Sequence, residues 1–190
     1  RRAMLRLLTG GESHGEALAA ILDGMPSDVD ISPDFINREL RRRQHFFGRG
    51  KRQAIEEDSA KILSGIIKGK TTGSPISIII KNKDFSIDRL PSVFSPRPGH
   101  ADLSGALKYN LKDMRAIIER SSARETATRV AIGAICKGLL SNFRVDILSH
   151  VLAIGDVGVS GYSSFDKIKA LLKKSSKIET HKNINQGAGK

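Results

Sequence analysis

Residues 123–140 read ARETATRVAIGAICKGLL, and the way this stretch is read decides the fold. Its apolar positions recur at helical spacing, and Ala127, Val130, Ala131, Ala134 and Ile135 fall on one face. The spacing predicts a helix over roughly Ala123 to Leu140, and a face of mostly small residues lets such a helix pack closely against its neighbours. Its start is polar: Arg120, Ser121, Ser122, Arg124 and Thr126 gather where backbone amides and the helix dipole favour an anion. An N-cap with solvated arginines explains the same residues without a ligand. Cys136, the single cysteine, lies in the run VAIGAICKGLL. It excludes an intrachain disulfide and a cysteine-cluster metal site, and reads as a buried structural thiol.

Upstream, LLTGGESHGEA (7–17) sets Glu12, Ser13 and His14 among glycines directly after an apolar run. Glycines admit backbone conformations that side chains forbid, so a histidine on such a turn can reach a ligand that the preceding strand cannot. A polar turn with an exposed histidine is the plainer reading. MLRLLT (4–9) predicts a first strand, and Arg1 to Ala3 precede a plausible start at Met4. ALAAILDG (17–24) suits a strand or a short helix, because its apolar run is continuous. Ser32 and Pro33 predict a capped helix through PDFINRELRRRQ, with Phe35, Ile36 and Leu40 on its apolar side.

Residues 46–58 are glycine-rich, charged and aperiodic, which predicts a mobile loop. AKILSGIIKG (60–69) and PISIIIKN (75–82) read as strands joined by a GKTTGS turn. That turn superficially matches a phosphate-binding loop, but Ser64 stands where the pattern requires a glycine. In FSPRPGHADLSGA (94–106), Pro96 and Pro98 bracket Arg97 and stiffen the backbone before His100, and a helix is expected from about Ala101. FRVDILSHVLAIG (143–155) reads as a strand. SFDKIKALLKK (164–174) reads as an amphipathic helix with Phe165, Ile168, Leu171 and Leu172 inward. The tail THKNINQGAGK has no core-forming pattern.

At 190 residues and 39% hydrophobic, the chain is long enough for one hydrophobic core. No apolar stretch is long enough to span a bilayer and no signal peptide is visible, which suits a reducing cytoplasmic setting. The formal net charge of +12 calls for an anionic partner: nucleic acid, an acidic membrane, or a small multiply charged ligand. Aromatics make up only 5% of the chain and tryptophan is absent, so base-stacking platforms are poorly supplied. Lysines cluster in KIKALLKKSSK (167–177) as a solvated helix face. Arginines concentrate in RELRRRQHFFGRGKR (38–52) and IERSSARETATR (118–129). Beside glycines and serines, their planar forks point to a ligand pocket more than to a nucleic-acid track.

Among the histidines, His14 and His100 occupy glycine- or proline-shaped segments with small neighbours. His45 lies beside two phenylalanines in a basic loop, His150 within an expected strand, and His181 in the tail. Neither His14 nor His100 has a partner at helical metal-ligand spacing, so no metal site is expected. Ser13 and His14 make a poor nucleophile and base, because adjacent residues rarely point at one another.

Taken together, GESHG with EALAAILDGMP (11–26), LRRRQHFFGRGKR (40–52), ILSGIIKGKTTGSPISIII (62–80), RPGHAD (97–102) and RSSARETATRVAIGAI (120–135) resemble the chorismate synthase family in order and spacing. The likeness runs from about Met4 to Phe143. It implies an α/β (α+β) sandwich, with central helices flanked by antiparallel β-sheets, assembled as a homotetramer. It further implies a carbon–oxygen lyase that eliminates phosphate and a ring proton, in an anti-1,4 sense, from 5-enolpyruvylshikimate 3-phosphate. Reduced flavin mononucleotide (FMN) is required although there is no net redox change, and NADPH is a candidate reductant of that flavin.

By position, the resemblance makes His14 the acid assisting the departing phosphate and His100 a proton carrier near the flavin. Arg43 and Arg49 match loop arginines linked in some members to a nicotinamide cofactor; with Arg52, they are assigned here to substrate anions. Ser13 and Arg124 join that set, while Arg120, Ser121 and Ser122 match the flavin-contacting segment. A partner that is nucleic acid or membrane is not implied. Family members are considerably longer, and their second half supplies further flavin contacts and the aspartate linked to ring-proton removal. Residues 1–190 are therefore expected to be an N-terminal portion with the C-terminal half absent. An inactive fragment or scaffold, and a basic nucleic-acid-binding module, remain the competing expectations.

Overall fold

The computed structural model describes residues 4–44, 55–158 and 164–171. In chain order its strands and helices are β1 (Arg6–Gly10), β2 (Ala17–Asp23), β3 (Ser27–Asp30), α1 (Pro33–Gln44), β4 (Ala60–Ser64), β5 (Ile66–Ile67), β6 (Lys70–Thr72), β7 (Ile76–Lys81), α2 (Asp102–Tyr109), α3 (Arg115–Arg120), α4 (Thr126–Ser141), β8 (Ala153–Ile154) and β9 (Val157–Gly158). Two compact units divide the chain, residues 1–144 and 145–190.

The first unit is built on an antiparallel sheet with strand order β1-β2-β7-β4, beside a smaller sheet β3-β6-β5. Alternation sets its packing. Leu18 lies opposite Ile80, Ala20 opposite Ile78 and Leu22 opposite Ile76, so both strands present their apolar residues to one face. All six are buried. Against that face lie α4, through Ala127, Ala131, Ala134 and Ile135, and α1, through Ile36 and Leu40, in one hydrophobic core. The small side chains of α4 let it lie close to its neighbours: a Cβ added at Gly138 would stand 2.9 Å from the Ile31 side chain. The result is an α+β fold of helices packed on antiparallel sheet.

The helix from Pro33 to Gln44 forms as its pattern predicts, and the Ser32 hydroxyl accepts the Phe35 amide at 3.3 Å. The ambiguous stretch 17–24 is a strand, because β1 and β7 pair with it on both sides. The expected GKTTGS turn is corrected: Lys70–Thr72 is strand β6, pairing with β5 and β3. Gly65, at φ +80°, turns the chain between β4 and β5, so one expected strand becomes two. The chain also forms β3 and α3, which the sequence pattern did not announce. Of the loop expected over 46–58, residues 46–54 lie outside the described residues.

In the second unit, the long strand expected over 143–155 reduces to a short hairpin of β8 and β9. Val145, Ile147, Val151 and Leu152 alternate like a strand, yet no described strand flanks them to complete a ladder, and they stay exposed. Residues 165–171 are helical, but Phe165 and Leu171 are exposed and Ile168 only half-buried. Their expected inward placement is corrected, and Leu172 lies outside the described residues. Among the described residues no helix is long and apolar enough to cross a membrane.

Overpacking the helix–sheet contact should be costly. Ala131 is fully buried, so Ala131→Leu is expected to destabilise the fold by about 1–3 kcal/mol, read as a lower urea midpoint.

Candidate active site

The turn between β1 and β2 is held from three directions. Gly11 adopts φ +96°, and a Cβ there would meet the Ala17 carbonyl oxygen at 2.3 Å, so only glycine fits. Asn82, one residue past β7, donates from Nδ2 to the carbonyls of Glu12 (3.2 Å), Ser13 (3.2 Å) and Gly15 (2.7 Å). Its backbone amide donates to Glu16 O at 2.9 Å. From α3, the Glu119 carbonyl accepts the Ser13 amide at 3.1 Å, and Glu119 Oε2 accepts the His14 amide at 2.8 Å. The His14 carbonyl in turn accepts the Ile87 amide at 3.0 Å. A turn rich in glycine is thereby fixed without regular secondary structure.

Held this way, the His14 ring sets Nδ1 2.8 Å from Glu119 Oε2 and Nε2 3.8 Å from Asp84 Oδ2. The ring opens onto a cavity of about 510 Å³ lined by Ser13, His14, Arg97, His100, Ser121 and Ser122, among others. The two histidines singled out in the sequence therefore share one cleft, although 85 positions separate them. His100 faces the Pro98 carbonyl with Nδ1 at 2.9 Å. Beside it, the Arg97 guanidinium forks onto Asp102, with Nε 2.8 Å from Oδ2 and Nη2 3.0 Å from Oδ1, and its backbone amide adds a third bond at 3.0 Å. This pairing with Arg97 holds the buried Asp102 carboxyl at about 2, below its ordinary 3.8.

A second cavity, of about 500 Å³, adjoins the first at Ala101, Ser121 and Ser122. Lys108, Arg120 and Arg129 give it positive charge. Arg120 Nη2 donates to the Thr9 carbonyl at 2.9 Å, and the Thr9 hydroxyl bridges to Glu125 at 2.9 Å. Ser121 Oγ donates to Ile117 O at 2.7 Å, and Ser122 Oγ accepts the Arg124 amide at 3.3 Å.

Two further expected site residues are placed elsewhere. Arg124 is buried, with Nε on Asn82 Oδ1 at 2.8 Å, Nη1 on Asp58 Oδ1 and Nη2 3.6 Å from Glu56 Oε2. Arg43 meets the same carboxylate, Nη1 to Asp58 Oδ2 at 3.2 Å, and binds Thr126 Oγ1 (2.9 Å) and Ala123 O (3.1 Å). Burial lowers the Arg43 pKa, and the Arg124 charge adds to that while Asp58 opposes it. Neither guanidinium lines either cavity. Arg49 and Arg52 lie outside the described residues. The structure thus brings together Ser13, His14, His100, Ser121 and Ser122, and sets Arg43 and Arg124 apart around Asp58.

Sequence reading missed Glu119, Asn82, Asp58 and Asp102. Glu119 directly precedes the arginine–serine cluster, but nothing local distinguishes a buried helix carboxylate from a solvated one. Among the described residues no group of three or more His, Cys, Asp or Glu could hold a metal ion.

Two measurements follow from these contacts. Asn82→Ala orphans buried carbonyls and the Arg124 Nε–H, so it should cost about 2 kcal/mol or more in urea unfolding. Because Asp102 titrates lower when folded than at its ordinary 3.8, its stabilising contribution is complete above pH 4 and lost as pH falls through about 2. Asp102→Asn should therefore flatten the stability profile over that window; an unchanged acid limb would contradict the pairing.

Comparison with known proteins agrees with this arrangement. The family model described as chorismate synthase matches residues 5–188, so the likeness continues past Phe143. A chorismate synthase of Solibacter usitatus (strain Ellin6076) is 50% identical over 182 residues, covering 88% of this chain and 46% of the relative. One from Thermoanaerobacter pseudethanolicus (strain ATCC 33223 / 39E) is 55% identical over 156 residues, covering 80% and 45%. A solved structure described as a crystal structure of chorismate synthase is similar with a TM-score of 0.66 at 48% identity, over 82% of this chain and 39% of that one. The chain spans about half the length of the curated relatives it matches. With turn, cleft and arginine–serine helix start in the family's order, the chain belongs to the chorismate synthase family.

Proposed function

We propose that this chain supplies the histidine-bearing half of a chorismate synthase, a lyase of the shikimate pathway converting 5-enolpyruvylshikimate 3-phosphate to chorismate. The observation that carries this reading is the single cleft shared by His14 and His100, with Arg97 and three serines on its walls. The substrate bears two carboxylates and a phosphate, and a positively charged, partly enclosed site offsets such charge better than water-exposed lysines would.

In the elimination a carbon–oxygen bond to phosphate and a ring carbon–hydrogen bond both break, and a new double bond forms. The substrate loses phosphate and a proton with no net oxidation. His14 donates a proton to the departing phosphate oxygen, making it a weaker base and a better leaving group. His100 holds a proton on the opposite wall. An imidazole suits both tasks because its ordinary pKa of about 6.5 lets it give and take protons near neutrality. Ser13, Ser121 and Ser122 orient the anionic groups. Arg49 and Arg52 are assigned to the same anions, and Arg43 and Arg124 act from behind by fixing the Asp58 and Asn82 framework.

Reduced FMN fits the second cavity chemically. Lys108, Arg120 and Arg129 suit its phosphate, Ser121 and Ser122 can hydrogen-bond it, and Ile117 and Tyr109 offer apolar surface to the ring system. When bound, the reduced flavin supplies electron density that the completed reaction returns. NADPH as its reductant, a homotetramer and a cytoplasmic location complete the proposal.

In the intact protein, His14→Ala and His100→Ala should each lower kcat about 100-fold or more. Near-normal turnover in either variant would remove that histidine from the mechanism. Reduced-flavin titration in the presence of substrate should show saturable uptake. No uptake would favour an inactive scaffold, and salt-sensitive binding of nucleic acid instead would favour a basic binding module.

A further inference from the structure

Glu119 is the buried carboxylate nearest the proposed chemistry, with its side chain only 1% exposed. A single oxygen, Oε2, receives the His14 backbone amide at 2.8 Å and faces His14 Nδ1 at 2.8 Å. The other oxygen, Oε1, faces the Arg115 guanidinium at 3.4 Å. An oxygen that already accepts an N–H, on a group paired with a guanidinium, is surrounded as a carboxylate with no proton to give. Nδ1 must therefore be the donor across the 2.8 Å contact. The remaining charged groups facing the ring are Asp84, whose Oδ2 lies 3.8 Å from Nε2 and beyond hydrogen-bond reach, and Arg97 and His100 on the same cleft.

The geometry points to Glu119 as a positioning residue that locks neutral His14 in its Nδ1–H tautomer and directs Nε2 to the cleft as the proton-exchanging atom. Both halves of the constraint come from one carboxylate: the bond to the His14 amide sets the backbone, and the bond to Nδ1 sets the ring. Glutamine at this position would keep the arrangement. The His14 amide requires an acceptor at the Oε2 position, which holds the glutamine oxygen there and turns its amide nitrogen towards Arg115. The consequence for turnover rests on the assignment of His14 as the acid; the tautomer does not.

The test is nitrogen NMR on the intact protein labelled with ¹⁵N-histidine, with the His14 signals assigned by their loss in His14→Gln. At a pH where the ring is neutral, the wild type and Glu119→Gln should both show Nδ1 as the N–H nitrogen and Nε2 as the lone-pair nitrogen. Glu119→Ala should shift the ring to the Nε2–H form and lower kcat about 100-fold, with Glu119→Gln recovering most of that loss. An Nε2–H ring in the wild type, or an unchanged tautomer in a folded Glu119→Ala protein, overturns the inference. If the alanine variant does not fold, the wild-type and glutamine spectra decide: Nδ1–H in both supports it, and Nε2–H in either overturns it. Normal turnover in His14→Ala would sink the acid assignment and leave the tautomer standing. Lost turnover in His14→Ala with an Nε2–H wild-type ring would sink this inference alone.

Discussion

The carboxamide of Asn82 shares two protons among the carbonyls of Glu12, Ser13 and Gly15, while its oxygen takes the Arg124 Nε–H. The site geometry depends on this exchange. A glycine-rich turn has little conformational preference of its own, and its backbone groups would otherwise turn to water. Here they are satisfied from β7 on one side and from Glu119 on the other. The turn is consequently as well determined as the core beneath it, and His14 inherits that precision.

The same economy explains where the arginines go. A net charge of +12 suggests a surface of cations awaiting a ligand, but several guanidinium groups are committed within the fold. Arg43 and Arg124 share Asp58, Arg97 forks onto Asp102, and Arg115 backs Glu119. A buried ion pair adds little net stability, because desolvation offsets most of its attraction; breaking one partner is what costs. Such pairs fix geometry, and these join the strand ends to the helix starts around the cleft. Arg97 does both, lining the cavity while tied to a buried carboxylate.

The helix–sheet core sets the distance over which these links must reach. Small residues on α4 bring it down onto β2 and β7, and so bring its N-terminal end, with Ser121 and Ser122, to the height of the β1–β2 turn. Bulk on that face would lift the helix and separate the two walls of the cleft. Packing and chemistry meet at that point: the alanines of α4 touch no ligand, yet they set the width of the site.

The sequence by itself determined the elements whose signals are local. α1 carries its cap and its apolar stripe, α4 its small-residue face, and β7 its alternation, and each formed close to where the pattern put it. It also singled out His14, His100 and the arginine–serine cluster, because glycine, proline and serine around a titratable residue are themselves local signals. Tertiary structure decided the rest. Residues 145–152 have the alternation of a strand but no described neighbour to pair with, whereas Lys70–Thr72, written like a turn, found partners on both sides. Only folding could set the Asp58 pairing of Arg43 with Arg124, or the contact between His14 and Glu119, since a carboxylate 105 positions away leaves no local trace. Periodicity records which face of an element is buried; it does not record what that face will meet.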